Sequence, residues 1–122
     1  MSTATEKFNK KYTEVVKIIE KNFAGLKAGE KMLISSPRSI ANYVAKIPYG
    51  PEKSVKLMRL ELAENTNADN TCPLTCGIFL RIAIEASLEQ SNGAKPSLPF
   101  WRVIDRNSLL FKKMTNFREI PD

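Results

Sequence analysis

Residues 54–90, SVKLMRLELAENTNADNTCPLTCGIFLRIAIEASLEQ, decide the fold predicted for this chain. Their first part predicts a helix over about 54–64, because apolar residues recur at helical spacing behind a serine N-cap. The segment 65–70 is rich in Asn and Asp and predicts a turn. A longer helix follows over about 73–90. Two helices joined by a short turn form either a helix-turn-helix that reads DNA or an ordinary packed hairpin, and the pattern leaves both open.

The longest helix is predicted to be largely buried. Thr71 or Cys72 is its predicted cap, Pro73 lies in its first turn, and Ser91-Asn92-Gly93 stops it. The predicted buried face consists of Leu74, Ile78, Phe79, Ile82, Ala83 and Ala86, widened by Leu80, Ile84 and Leu88.

Two further helices are predicted before this pair. Residues 5–23 predict an amphipathic helix, and residues 24–31 with two glycines predict a connector. The apolar stripe of that first helix is Phe8, Tyr12, Val15, Ile19 and Phe23. Ser36-Pro37 predicts the start of the next helix, which ends at the breaker of residues 48–51.

The C-terminal part predicts a β-hairpin. Residues 101–104 and 109–111 form two short apolar segments around a polar turn at 105–108. A helix, a turn, a helix and a hairpin follow one another in a winged helix-turn-helix. We therefore predict a mainly α fold, namely a winged helix-turn-helix domain with a short β-hairpin wing, plus an N-terminal amphipathic helix. The predicted units are an N-terminal helix and connector (1–31), the winged-helix domain (32–114) and a flexible tail (115–122).

The charge favours a polyanionic partner. The 122 residues include 19 basic and 13 acidic side chains, which gives a formal net charge of +6 and a pI near 9.4. The segment from Lys95 to Arg118 carries six basic residues against the single acid Asp105. Such an excess is typical of proteins that bind nucleic acid, although many basic proteins bind none.

Composition argues against most hydrolytic and metal chemistry. The chain has no histidine, which is the commonest general base and zinc ligand. Cys72 and Cys76 alone cannot complete a four-ligand zinc site, so we predict no metal and no cofactor. No apolar run is long enough to span a bilayer, and the N-terminus lacks the apolar core of a signal peptide. We therefore predict a cytoplasmic protein with no membrane partner.

Two motifs carry a resemblance to a known family. The stretch Leu98-Pro99-Phe100-Trp101-Arg102-Val103-Ile104 resembles the Pro-Cys-His-Arg-Val active-site signature of O6-alkylguanine-DNA alkyltransferases. Ile47-Pro48-Tyr49-Gly50, which precedes the helix pair, is similar to the family's Ile-Pro-x-Gly segment. With the helices in the family's order, the resemblance covers roughly residues 32–112.

The resemblance implies binding without alkyl transfer. Phe100 and Trp101 stand where the family has its nucleophilic cysteine and activating histidine. In this the chain resembles the noncatalytic alkyltransferase-like branch, in which a large aromatic residue replaces the cysteine. The implied function is recognition of alkylated or damaged guanine in double-stranded DNA by base flipping, with handover to a repair-protein partner.

The resemblance also implies roles for single residues. Arg81 would fill the space vacated by a flipped nucleotide, Pro99 and Arg102 would anchor the signature loop, and Phe100 and Trp101 would line a base pocket. Arg81 can equally form an exposed ion pair with Glu85. The two aromatic rings can equally fill the former pocket as core residues.

The sequence departs from the family at two further places. Val55 stands where the family has a tyrosine that helps to rotate the target phosphate, and the loop 105–114 has no glycine. The remaining predicted DNA contacts are Thr71 and Thr75 at the start of the longest helix, and Arg106, Lys112 and Lys113 on the wing.

Three alternative functions stay open at this point. The first is a winged-helix regulator that binds duplex DNA without a base pocket. The second is a protein-interaction module on a retired alkyltransferase scaffold, with the N-terminal helix as its docking surface. The third is an enzyme that uses Cys72 or Cys76 as an acceptor thiol, for which the sequence shows no activating base.

Overall fold

The computed structural model describes residues 3–47, 53–91 and 98–103. In chain order the elements are α1 (Ala4–Asn9), β1 (Val15–Ile18), β2 (Lys31–Ile34), α2 (Pro37–Ala45), α3 (Val55–Glu64), β3 (Asn70–Thr71), α4 (Pro73–Ser91) and a 3₁₀ turn (Phe100–Arg102). The fold is α/β, about half helical, with a three-stranded sheet that the mainly α prediction omitted. In these described ranges, no helix has both the length and the apolar character of a membrane span.

The three central helices begin and end close to their predicted residues. Ser36 caps α2 by accepting a hydrogen bond from the Ser39 amide, with Pro37 in the first turn. Ser54 caps α3 in the same way, through the Leu57 amide. A serine side chain at these positions satisfies an amide that would otherwise lack a partner at the helix start, which is why the starts are readable from sequence.

The predicted helix over 5–23 is wrong beyond its first turns. α1 ends at Asn9, and residues 15–18 form the strand β1. The β-branched run in 15–19 favours an extended backbone, and this preference prevails once β1 pairs with β2. Phe23 and Leu26 form an isolated antiparallel bridge around Ala24 and Gly25, both with positive φ, as a tight primed turn requires.

The sheet has the order β1-β2-β3. β1 and β2 pair antiparallel, with Val15 opposite Ile34 and Ile18 opposite Lys31. β2 and β3 pair parallel over two residues, and Asp69 supports this pairing by accepting the Lys31 amide at 2.8 Å. The sheet therefore joins the N-terminal segment to the turn that precedes α4. The predicted domain boundary between residues 31 and 32 falls inside this shared sheet.

The main core lies between α2, α3, α4 and the 3₁₀ turn, with β2 at its edge. Its most fully buried members include Leu33, Ile40, Val44, Met58, Ile84 and Phe100. A smaller core of Ile19, Leu26, Met32 and Cys72 is formed around β1 and β2. The N-terminal segment thus contributes its own buried contacts, as well as the packing of α1 against α4.

The buried face of α4 differs from the predicted one. Leu74 and Ile78 are 59% and 57% exposed, so their assignment to the core is wrong. Leu80, Ala83, Ile84 and Ala86 are buried as predicted, and Cys76 and Ser87 are buried in addition. An almost entirely apolar helix has no unique amphipathic face in its sequence, so the neighbouring elements decide which side is covered.

The predicted hairpin is wrong where its first strand can be checked. Phe100–Arg102 form a 3₁₀ turn, and Val103 follows it with a nonextended backbone. The predicted turn at 105–108, the second strand at 109–111 and the tail at 115–122 lie outside the described residues. Thr71, a predicted cap of α4, belongs to β3.

Candidate nucleic-acid interface

Residues 98–103, here called the signature turn, are fastened to three other elements. The Leu98 amide donates to Ser87 Oγ in α4 at 3.1 Å. Arg102 Nη1 donates to the carbonyl oxygen of Ile47, just beyond α2, at 2.9 Å, and the Lys53 amide donates to the carbonyl oxygen of Arg102 at 2.9 Å. The turn therefore closes one side of the core between the end of α2 and the start of α3. The predicted anchoring role of Arg102 agrees with this position.

The aromatic pair of the signature turn lies inside the core. Phe100 is 0% and Trp101 3% exposed, and Leu98 and Val103 beside them are also buried. The two rings meet edge to face, with centroids 5.4 Å apart and planes inclined by 72°. This is a favourable packing geometry for aromatic side chains. In this conformation neither ring presents a face on which a base could stack. Pro99 precedes the turn and is buried as well.

A charged cluster that the sequence did not single out lies next to the signature turn. Tyr43 Oη and Lys53 Nζ both donate to Glu61 Oε1, at 2.9 and 3.2 Å. The hydrogen bond from Tyr43, followed by that from Lys53, lowers the pKa of Glu61. Burial raises the pKa of Tyr43, and its bond to Glu61 adds to this effect. The cluster connects α2 to α3. Val55, which the resemblance aligns with a tyrosine, is packed against the core.

The outer face of α4 carries both apolar and charged side chains. Arg81 Nε donates to Glu85 Oε1 at 2.6 Å, and the two side chains are 46% and 38% exposed. This is the exposed ion pair that the sequence offered as the alternative role of Arg81. The arginine nevertheless stands on the side of α4 that faces away from the core, as do Leu74 and Ile78. A DNA contact by Arg81 would exchange the bond with Glu85 for one with a phosphate or a base.

The side chains of Thr71 and Thr75, which were predicted to bind a phosphate, lie in two different environments. Thr71 is fully buried, and its Oγ1 donates to the carbonyl oxygen of Arg59 in α3 at 2.7 Å. Its hydroxyl therefore stabilises the contact between α3 and β3. Thr75 lies in the first turn of α4, where its Oγ1 is buried and has no hydrogen-bond partner within the described ranges.

The two thiols are both reduced and buried. Cys72 is 3% and Cys76 0% exposed. Burial raises the pKa of the Cys76 thiol to about 11. A thiol with so high a pKa is almost entirely protonated at neutral pH, and only the thiolate is a good nucleophile. This environment is typical of cysteines that pack in a core.

The positive charge of the described chain is concentrated in its first part. Residues 3–47 contain nine basic and four acidic side chains. The sequence predicted DNA contacts in the basic segment 95–118, of which the structure describes only residues 98–103. Arg106, Lys112 and Lys113 lie outside the described residues. The charge of the N-terminal part was visible in the sequence, but its position relative to α2 was not. In the fold, Lys7, Lys10 and Lys11 line depressions that adjoin those lined by Arg38 and Lys46.

Neither a metal centre nor a known relative guides the assignment of a function. Among residues 3–47, 53–91 and 98–103, no group of three or more His, Cys, Asp or Glu side chains could hold a metal ion. No protein-family model matches the chain, and no curated protein or solved structure is significantly similar to it.

Proposed function

We propose that this protein binds duplex DNA and catalyses no reaction on it. The observation that carries the proposal is the succession of α3 and α4, joined by residues 65–72 with the short strand β3, and the position of Arg81 on the outer side of α4. In helix-turn-helix proteins the second of two consecutive helices enters the major groove, and α4 is the second helix here. The net charge of +6 would supply attraction to the phosphates.

The chemistry of the thiols and of the signature turn supports a proposal without alkyl transfer. Cys76 has a raised pKa and is enclosed by the core. Cys72 is buried beside it, and the chain has no histidine that could activate either thiol. Phe100 and Trp101 have no nucleophilic atom. The third function suggested by the sequence, an enzyme with an acceptor cysteine, is therefore the least supported.

The burial of Phe100 and Trp101 favours DNA binding without a base pocket over recognition of a flipped guanine. Stacking on a base would require the rings to leave their edge-to-face packing in the core. Arg102 and Lys53 hold the turn to two helices, which opposes such a movement. In this proposal the signature turn is a structural element of the core.

A comparison of two duplexes tests both parts of the proposal. Binding would be measured by fluorescence anisotropy with a duplex that carries one O6-methylguanine and with its unmodified twin. We expect equal affinity for the two duplexes and weaker binding to both by Arg81→Ala. A preference for the modified duplex that Arg81→Ala abolishes would establish base flipping instead. Phosphate contacts contribute most at low salt, so binding would be measured at about 20 mM salt. The absence of binding to either duplex there would refute DNA binding altogether.

The outer face of α4 favours a protein-interaction module as the second candidate. Leu74 and Ile78 are more than half exposed and lie one turn apart. Exposed apolar residues grouped on a helix often mark a contact with another protein. The double variant Leu74→Ser/Ile78→Ser would keep DNA affinity if this surface serves a protein partner. It would lower the affinity if α4 enters the groove with this face.

A further inference from the structure

Three adjoining depressions lie on the side of α1 and α2. The first, about 770 Å³, lies between α1 and α4 and shares Asn9, Lys10 and Tyr12 with a second depression of about 430 Å³ beside the N-terminus of α2. The second shares Glu14, Ser39 and Asn42 with a third of about 270 Å³, which reaches the end of α3. The three depressions together are called the α2 groove below.

The α2 groove is lined by an excess of positive charge. Five basic side chains contribute to its walls, namely Lys7, Lys10, Lys11, Arg38 and Lys46. The acids in its lining are Glu6 and Glu14. All five basic residues are exposed to solvent. Such a strip attracts an extended anion rather than a single ion, because its charges are spread over neighbouring depressions.

Arg38 is already held in position for such a contact. Its guanidinium lies over the ring of Phe8, 4.9 Å from the centroid, and Nη2 donates to Asn9 Oδ1 at 3.1 Å. The bond to Asn9 uses one of the five N–H donors of an arginine. An arginine stacked on an aromatic ring loses less conformational freedom when it binds a phosphate than a free side chain does.

The N-terminus of α2 is already occupied by the carboxylate of Glu14. We therefore expect an anion to bind to the lysines and Arg38. Glu14 Oε1 accepts from Ser35 Oγ at 3.1 Å and Glu14 Oε2 from Ser39 Oγ at 3.0 Å. The carboxylate thus already lies at the positive end of the α2 dipole, where negative charge is stabilised. A phosphate would bind farther out, along the side chains of the groove wall.

We infer that the α2 groove binds the phosphate backbone of the DNA duplex, as a second contact surface apart from the face of α4 that carries Arg81. The inference rests on the proposed function and adds to it the surface that supplies the salt-dependent affinity. Phosphate contacts by basic side chains position a protein on DNA without reading its sequence. Asn9 and Asn42 line the same groove, and their side-chain NH2 groups can donate further hydrogen bonds to phosphate oxygens.

The test compares two triple variants with equal net charge. Lys7→Gln/Lys10→Gln/Lys11→Gln neutralises lysines of the groove. Lys17→Gln/Lys21→Gln/Lys27→Gln neutralises three exposed lysines of the β1–β2 hairpin and its loop, none of which lines the groove. The affinity of each protein for an unmodified 20-base-pair duplex would be measured by anisotropy between 20 and 200 mM salt. Circular dichroism would check that both variants are folded.

A plot of log affinity against log salt has a negative slope, and we expect this slope to be shallower by about 2–3 in the groove variant. Each phosphate contact that is lost reduces the magnitude of the slope by about 0.9. The hairpin variant should change the slope by less than about 1. Equal slopes for the two variants, with the wild type binding, would overturn the groove and leave DNA binding intact. Failure of the wild type to bind at 20 mM salt would overturn both.

Discussion

The Arg102 guanidinium donates from Nη1 to the carbonyl oxygen of Ile47 at 2.9 Å, across 55 positions of sequence. This bond fixes the signature turn to the end of α2, while the carbonyl oxygen of Arg102 accepts the amide of Lys53. One residue thereby connects both sides of the segment that joins α2 to α3. A role in stability, rather than in ligand binding, follows from this position.

Arg102→Ala should destabilise the protein by about 1.5–3 kcal/mol, because a partly buried hydrogen bond from a charged group is lost. Urea unfolding followed by circular dichroism measures this change. Arg81→Ala is the matched control, since it removes an exposed ion pair that contributes less than about 1 kcal/mol. An equal cost for the two variants would contradict the anchoring role.

The location of Phe100 in the core can be tested with two variants of the same type. Phe100→Leu should lower the free energy of unfolding by about 1–3 kcal/mol, as is usual for changes that alter core packing. Phe23→Leu, at a ring that is 39% exposed, should cost less than about 0.5 kcal/mol. The DNA affinity of folded Phe100→Leu should equal that of the wild type. Weaker binding with unchanged stability would show that the ring contacts a base.

Glu89 links the N-terminus of α1 to α4. Its carboxylate accepts from the amides of Ala4 and Thr5 at 3.0 and 2.9 Å, and from Thr5 Oγ1 at 2.8 Å. The backbone hydrogen bond from Thr5, with the other two bonds, lowers the pKa of Glu89 below its usual 4.5. A carboxyl with a lowered pKa in the folded state stabilises the fold above the unfolded pKa, and this effect is lost as the pH falls through the folded value.

Glu89→Gln should therefore lower the melting temperature at pH 7, and the difference from the wild type should shrink as the pH falls below about 4.5. Thermal unfolding between pH 3 and pH 7 measures it. Glu20→Gln, at an exposed site in the loop after β1, is the control and should show little difference at any of these pH values. A difference for Glu89→Gln that grows toward low pH would contradict the assigned sign.

The thiols should be protected in the folded protein. Because Cys72 and Cys76 are buried and the pKa of Cys76 is raised to about 11, we expect slow reaction with an aromatic disulfide reagent at pH 8. The two thiols should react at once in denaturant. Rapid labelling of one thiol in the native state would restore the hypothesis of an acceptor cysteine.

The helical part of the fold was predictable because its signals are local. Ser36 and Ser54 cap α2 and α3 as their sequence positions predict, and α4 extends from Pro73 to Ser91, one residue beyond its predicted end. The sheet was not predictable in the same way. The spacing of the apolar residues around β1 fits a helix, its β-branched residues favour a strand, and its pairing with β2 decides between them.

The candidate site, like the fold, was predictable from the sequence only in part. The sequence pointed to Arg102 as an anchor and to Arg81 as either a DNA contact or an ion-pair partner. It could not tell whether Phe100 and Trp101 were accessible, since burial depends on α2, α3 and α4 meeting around them. The α2 groove was also missed, because its lysines and Arg38 come together only when α1 and α2 pack on the same side.

The sequence by itself determined where helices start, that the chain is basic, and that it lacks a histidine to activate a nucleophile. These properties depend on neighbouring residues or on composition alone. Only the tertiary structure decided that residues 15–18 pair as a strand, that Leu74 and Ile78 face outward, and that Phe100 and Trp101 lie in the core. Each of those outcomes depends on contacts between segments far apart in the chain, and such contacts are not specified by the neighbouring residues alone.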